Sequence, residues 1–327
     1  MNVCVFGAGA IGSFLALSLA RGGANVSVVA RGEQLAAIRA HGLRAVTPAG
    51  ELTAQPAASD RPAELGPQDL VVVTLKAQMI AAAVAGISEL LGPDTSVAFI
   101  LNGLPWWYDY HGTGREPGPA LPPESPAVRA VWAALPPQRV FGGVVYSSCT
   151  LSAPGVVQVQ NAKSRVIIGE PNGSISVRAN ALAAALNAGD IDTKVVPDVR
   201  KDIWEKLASN AGTGPMSVLA QTAPKDFLQD PECERLTRAA VNETCAIAAA
   251  AGYPVVFDFE RLLGLWKKSQ HLPSIAQDLA RGKPIEFDAL YGRAWQIARA
   301  LNVATPTLDV MLPLVRARAT GAGCYPA

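Results

Sequence analysis

Val3-Cys4-Val5-Phe6-Gly7-Ala8-Gly9-Ala10-Ile11-Gly12 is a β-branched apolar run that breaks into Gly-x-Gly-x-x-Gly and continues as the helical pattern Ile11 to Arg21. Strand, glycine-rich turn and helix in that order read as a dinucleotide-binding turn. Gly7 permits the tight bend, Gly9 lets backbone approach a pyrophosphate, and Gly12 lets the helix pack closely on the strand. The helix start, with Ala10 and Ile11, offers N–H groups and a positive dipole end to phosphates. A secretory leader is the competing reading of an apolar N-terminus, and the lack of a basic segment before the run argues against it.

The next residues bear on which nicotinamide cofactor binds. A carboxylate at the end of the second strand grips ribose hydroxyls in NAD enzymes. Here Asn25 to Ala30 ends in Arg31. A guanidinium suits a 2′-phosphate through paired charge-assisted bonds, so NADPH is expected. The competing reading is a solvated surface arginine, with Glu33 left to serve a ribose.

Working outward, strands at 3–6 and 26–30 alternate with helices at 10–21 and 33–41, followed by short extended pieces over 43–54. Such alternation builds a parallel sheet with helices on both faces. Leu70 to Leu75 is apolar at consecutive positions, as in a strand buried on both faces, and Ser96 to Leu101 repeats the signature. Lys76 follows the first and Asn102-Gly103 the second, at the carboxyl ends where open α/β sheets bind ligands. Residues 105–139, rich in Pro and Gly, read as a long loop. Strands at 140–148, 156–160 and 165–169 are expected to be antiparallel, and a helix at 176–188 and a strand at 191–196 complete a first domain, 1–197. Helical periodicity then dominates over 200–220, 231–251, 256–268, 274–280, 287–302 and 306–319, giving a nearly all-helical second domain, 198–327.

With 327 residues, half of them apolar, the chain is comfortable as two domains. A net charge of +1 without long runs of one sign leaves no footprint for nucleic acid or an anionic membrane. No uninterrupted apolar stretch is long enough to span a bilayer. Five widely spaced cysteines without a Cys-x-x-Cys pair suggest reduced thiols and a cytoplasmic protein. His41, His111 and His271 are equally scattered, so no metal site is expected. Apolar faces over 231–251 and 287–319 suggest a homodimer.

Outside the glycine-rich turn, Trp204 to Gly214 is the most informative stretch. Lys206 and Asn210 are four apart and share one helix face. Alone, that pair reads as a solvated face. Together with the glycine turn, Arg31, Lys76, Asn102-Gly103, and Ser274 followed twelve residues later by Glu286, it resembles the ketopantoate reductase family over the whole chain. The resemblance implies an α/β Rossmann-type N-terminal domain, an all-α C-terminal domain like that of 6-phosphogluconate dehydrogenase, and NADPH-dependent reduction of 2-dehydropantoate to (R)-pantoate in pantothenate synthesis. By matching positions it implies Lys206 as general acid, Asn102 and Asn210 orienting substrate or cofactor, Ser274 and Glu286 holding the far end of the substrate, and Lys76 near the nicotinamide and ribose. With Gly7, Gly9, Ala10, Ile11, Gly12 and Arg31, Lys76 and Asn102 make up the expected cofactor set.

The chemistry suits these residue types. An ammonium stabilises and protonates the oxygen that gains charge as hydride reaches C2, and neutral amides bond a carbonyl or carboxylate without adding charge. One departure stands out. Family members usually carry a second asparagine four residues after the position of Asn210, and here that residue is Gly214. Trp106 and Trp107 either wall a pocket for a bulkier 2-oxo acid or anchor the loop. Two alternatives thus accompany the main reading: a reductase of another 2-oxo acid, and a non-catalytic NADPH-binding sensor.

Overall fold

The structure, a computed structural model, describes residues 1–110 and 131–326. Most of the expected loop 105–139 and His111 lie outside them. The chain divides into two compact units: residues 1–101 with 105–110 and 131–199, and residues 200–326 with 102–104. The first is a Rossmann-type unit and the second is helical.

The first unit is built on an eight-stranded sheet. Its strands are β1 (Asn2–Phe6), β2 (Asn25–Val29), β5 (Ala57–Ser59), β6 (Gln68–Val73), β7 (Leu91–Ile100), β8 (Val140–Tyr146), β11 (Arg165–Gly169) and β12 (Asp192–Val195), in the order β12-β11-β8-β7-β6-β1-β2-β5. β1 lies centrally, parallel to β2 and β6. Val3, Cys4 and Val5 are fully buried, as consecutive apolar residues require of a strand covered on both faces.

A second sheet, β4-β3-β10-β9, contains β3 (Leu43–Thr47), β4 (Gly50–Ala54), β9 (Cys149–Ala153) and β10 (Val156–Val159). Helix α1 (Ala10–Arg21) packs against strands of both sheets. That explains its sequence: Gly12 through Leu19 are all buried, so the helix is apolar around its circumference rather than along one stripe.

The expectation for 140–169 needs correction. β8 runs parallel to β7, β11 is antiparallel to β8, and β12 is parallel to β11. β10 leaves this sheet altogether, pairing antiparallel with β9 and parallel with β3. The chain departs at Ser147-Ser148, where the Asn161 side chain accepts from the Ser148 N–H at 2.7 Å, and forms the β9–β10 hairpin before returning at β11.

The expected loop is also anchored at both described ends. Trp107 is fully buried, and a Cβ on Gly142 of β8 would stand 2.5 Å from its Cζ2. Trp106 packs edge-on against Phe99 and Trp132, and Tyr110 against Trp132. Residues 131–134 are helical, with Val131 and Leu135 buried. The aromatic residues 106 and 107 thus act as anchors within the first unit.

Helices α2 (Gly32–His41), α3 (Ile80–Ser88) and α4 (Val177–Ala188) complete the first unit. The second contains α5 (Val199–Ala220, from residue 200), α6 (Pro224–Phe227), α7 (Pro231–Ala250), α8 (Phe259–Trp266), α9 (Ser274–Ala280), α10 (Arg293–Ala300) and α11 (Pro306–Gly321). Asp230 and Asp258 cap α7 and α8 by accepting from first-turn N–H groups. The expected helix 287–302 instead begins with a π-helical turn over Asp288–Gly292 before α10. No helix among the described residues is long and apolar enough to cross a membrane.

Candidate active site

In the first unit, Gly7 directly follows β1, Arg31 lies two residues after β2 and Lys76 three residues after β6. These are carboxyl ends of three adjacent parallel strands, the edge where open α/β sheets take ligands. Gly7 has φ 109°, in the left-handed region that favours glycine, and a Cβ there would come within 2.8 Å of Leu75 Cδ2. A Cβ on Gly12 would overlap the Gly7 carbonyl and the Thr74 hydroxyl. At Gly9, by contrast, a Cβ would meet nothing within 4 Å. Two glycines therefore serve packing, while the third leaves the approach to the turn open.

Two residues not singled out from sequence brace this turn. Thr74 Oγ1 donates to the Gly7 carbonyl at 2.7 Å. Gln34 Nε2 donates to the Ala8 carbonyl at 2.9 Å, while its Oε1 accepts from the Gly155 N–H at 2.9 Å. Helix α1 starts at Ala10 with Gly9 as its N-cap and no side-chain cap, so the N–H groups of its first turn have neither a partner within the helix nor a capping side chain. This donor set fits a nucleotide pyrophosphate. Arg31 is exposed at the start of α2, with Glu33 also exposed in its first turn.

In the helical unit, α5 buries Trp204, Leu207, Ala208 and Ala211, leaving Lys206 and Asn210 half-buried on another face. Ser274 is exposed at the first position of α9, and Glu286 is buried just before the π turn. Ile275 and Tyr291 meet α5 at Gly214: a Cβ there would overlap the Tyr291 hydroxyl and lie 3.4 Å from Ile275 Cγ2. Tyr291 Oη donates to the Asn210 backbone carbonyl at 3.3 Å. Burial pushes the Tyr291 phenol far above its ordinary range, so it remains a donor.

Residues 102–104 belong to this unit as well. The Leu104 N–H donates to the Ala289 carbonyl at 3.0 Å, and Gly103, at φ 81°, lies so close to that carbonyl that a Cβ would overlap it. The π turn therefore supports Asn102 on one side and, through Tyr291, Asn210 on the other. π turns inserted in helices recur at functional sites. Asn102, Lys206, Asn210, Ser274 and Glu286 fall in one compact unit; Gly7 to Gly12, Arg31 and Lys76 fall in the other. Among the described residues no cluster of His, Cys, Asp and Glu suits a metal ion.

Residues 3–106 match the family model for ketopantoate reductase PanE/ApbA, and residues 198–319 match that for its C-terminal region. A 2-dehydropantoate 2-reductase of Mesorhizobium japonicum is 39% identical, over 99% of this chain and all of that protein. A crystal structure of a Ralstonia solanacearum chain superposes with a TM-score of 0.88 at 33% identity, covering 99% of both chains. The crystal structure of 2-dehydropantoate 2-reductase from Methylococcus capsulatus gives a TM-score of 0.81 at 29% identity, covering 98% of both.

Proposed function

Because the chain belongs to the ketopantoate reductase PanE/ApbA family and is therefore an oxidoreductase, we propose that it reduces 2-dehydropantoate to (R)-pantoate with NADPH, as a step of pantothenate synthesis. What carries this reading is the grouping of Asn102 with Lys206, Asn210, Ser274 and Glu286 in one compact unit, although strands β8 to β12 separate Asn102 from the others in the chain.

The residues divide the work by chemistry. Residues 1–197 hold the cofactor: first-turn N–H groups of α1 take the pyrophosphate, Arg31 the 2′-phosphate, and Lys76 the ribose and nicotinamide side. Bound there, NADPH supplies the hydride. Lys206 gives a proton to the substrate oxygen at C2 as that oxygen gains charge. Asn102 and Asn210 hold the carbonyl or carboxylate without introducing a competing charge. Glu286 accepts from the terminal hydroxyl of the substrate, with Ser274 beside it. Residues 198–327 form the substrate domain and the contact of a homodimer, in the cytoplasm.

Gly214 is compatible with this assignment. Tyr291 fills the space beside it with a hydroxyl that already bonds α5, so the family asparagine is replaced by packing rather than by a gap.

Steady-state NADPH oxidation against 2-dehydropantoate, 2-oxoisovalerate and phenylpyruvate tests the proposal. 2-Oxoisovalerate lacks the terminal hydroxyl. A site built to bond that group should discriminate by about 10⁴-fold in kcat/KM. A preference for either other acid would move the function to that substrate. Tight NADPH binding without oxidation of any of the three would make the protein a nucleotide-binding sensor.

A further inference from the structure

Glu286 ends the stretch 283–286, which belongs to no helix or strand and leads into the π turn through Phe287. A side chain on irregular backbone takes its position from whatever holds the residues on either side of it. Here residues 324 and 325 hold both sides. The Ile285 N–H donates to the Cys324 carbonyl at 3.0 Å. Beyond Glu286, the Phe287 ring meets the Tyr325 ring edge-on with 5.4 Å between centroids, and the Tyr325 hydroxyl donates to Asp288 Oδ1 at 2.8 Å. Ile285, Glu286, Phe287 and Cys324 are all buried.

The end of α11 builds this clamp. Gly323, at φ 68°, turns the chain in the left-handed region. Its N–H donates to the Thr320 carbonyl at 2.9 Å, and the Cys324 N–H donates to the Ala319 carbonyl at 2.8 Å. That pair of bonds is the Schellman ending of a helix, and it fixes the direction in which Cys324 and Tyr325 leave α11. The phenol is a dependable donor. Burial, and then the bond to the Asp288 carboxylate, push the Tyr325 pKa up to about 12, so the hydroxyl keeps its proton across the neutral range. Its bond to a carboxylate is stronger than one between neutral groups.

The same contacts reach α5. Phe287 also meets Tyr291 edge-on, with 6.0 Å between centroids, and Tyr291 donates to the Asn210 carbonyl. Tyr325, Phe287 and Tyr291 thus form a row from the end of α11 to α5, with Glu286 on the backbone beside its middle member. We propose that Tyr325, through its bond to Asp288, is a positioning residue for Glu286 and sets selectivity for a 2-oxo acid that carries a terminal hydroxyl. The assignment rests on the reading of Glu286 as the acceptor of that hydroxyl. Losing the Tyr325 bond loosens residues 285–288 and misplaces the Glu286 carboxylate, while Lys206, Asn102 and Asn210 still hold the reacting end of the substrate.

Steady-state kinetics of the full chain with 2-dehydropantoate and with trimethylpyruvate, the same 2-oxo acid without the hydroxyl oxygen, test this. Tyr325→Phe should lower kcat/KM for 2-dehydropantoate about tenfold, the size of one charge-assisted hydrogen bond, chiefly through KM. It should leave kcat/KM for trimethylpyruvate and KM for NADPH unchanged. Asp288→Ala should match it, and combining the two should add no further loss, because both remove the same bond. Asp288→Asn, which keeps an acceptor oxygen, should retain the wild-type preference, and Glu286→Ala should abolish it. Thermal unfolding checks that each variant is folded. Equal losses on the two acids in Tyr325→Phe would make its role purely structural and overturn the proposal. A preference kept in Tyr325→Phe but lost in Glu286→Ala would overturn it too, leaving the reading of Glu286 intact. A wild type without preference, or a preference that survives Glu286→Ala, would remove that reading and the proposal with it.

Discussion

The Tyr291 hydroxyl occupies the space that a Cβ at position 214 would require, and it donates to the Asn210 backbone carbonyl at 3.3 Å. This makes residues 214 and 291 a coupled pair. Replacing a glycine inside a helix by alanine ordinarily gains about 1 kcal/mol. Here overpacking against Tyr291, about 1–3 kcal/mol, opposes that gain. Gly214→Ala should therefore lower the unfolding midpoint. In a Tyr291→Phe background the hydroxyl is gone, the nearest ring carbon would be 3.3 Å from the new Cβ, and the same substitution should be neutral or stabilising. A double-mutant cycle by denaturant unfolding should give a coupling of about 1–3 kcal/mol.

Lys206→Ala should reduce kcat by orders of magnitude while leaving NADPH affinity near wild type, because the ammonium is assigned to the developing oxyanion rather than to the cofactor. Fluorescence titration with NADPH alongside steady-state kinetics separates the two effects. Equal losses in both would place Lys206 in cofactor binding instead.

Arg31 and Glu33 give opposite predictions for the two nicotinamide cofactors. Both are exposed at the start of α2. If Arg31 holds a 2′-phosphate, Arg31→Gln should raise KM for NADPH by about 10- to 100-fold, the value of a charge-assisted bond, and leave KM for NADH little changed. Added salt should reduce the difference. If Glu33 holds a ribose, Glu33→Gln should impair NADH use and Arg31→Gln should not matter.

The opening strand, turn and helix were legible because every level agreed: consecutive buried apolar residues in β1, glycines where Leu75 and Thr74 crowd the backbone, and an α1 apolar on all sides. Pairing of β10 with β3 was not legible, since a strand as short as Val156–Val159 carries no signal for choosing a partner distant in sequence. The π turn at Asp288–Gly292 was hidden too. Its residues continue a helical pattern, and the extra residue per turn that sets the position of Tyr291 leaves no mark on apolar spacing. Gln34 and Thr74 are ordinary polar residues by sequence, and only their bonds to the glycine turn show what they do.

Gly142-Gly143 within β8 is a signal of the opposite kind, because glycine in a strand interior often marks close approach by a neighbour. That neighbour at Gly142 is Trp107, 2.5 Å from a Cβ built there, with the Phe99 carbonyl at 2.9 Å. Gly142→Ala should cost about 1–3 kcal/mol and shift tryptophan emission to the red as Trp107 is displaced. Trp107→Ala should cost about 3–5 kcal/mol through lost burial and cavity formation. Unfolding midpoints with emission spectra check both, and an unchanged spectrum in Gly142→Ala would mean that the strand, rather than the indole, gives way.

His271 should make stability depend on pH near neutrality. Burial lowers its pKa below the ordinary histidine value, so the folded protein takes up this proton at lower pH than the unfolded chain does. Between the unfolded value, about 6.5, and the lower folded one, the unfolded chain holds more protons, and stability rises with pH. The contribution is therefore fully present above about pH 6.5 and is lost as pH falls toward and through the folded value. Its ring Nε2 is 3.3 Å from Gln277 Nε2 in α9, the helix that begins at Ser274, so the neutral ring, accepting from that amide, also steadies this end of the helical unit. Urea midpoints from pH 5 to 8 should fall on the acid side in the wild type and vary less in His271→Gln. Equal slopes in the two proteins would assign the pH dependence to other groups.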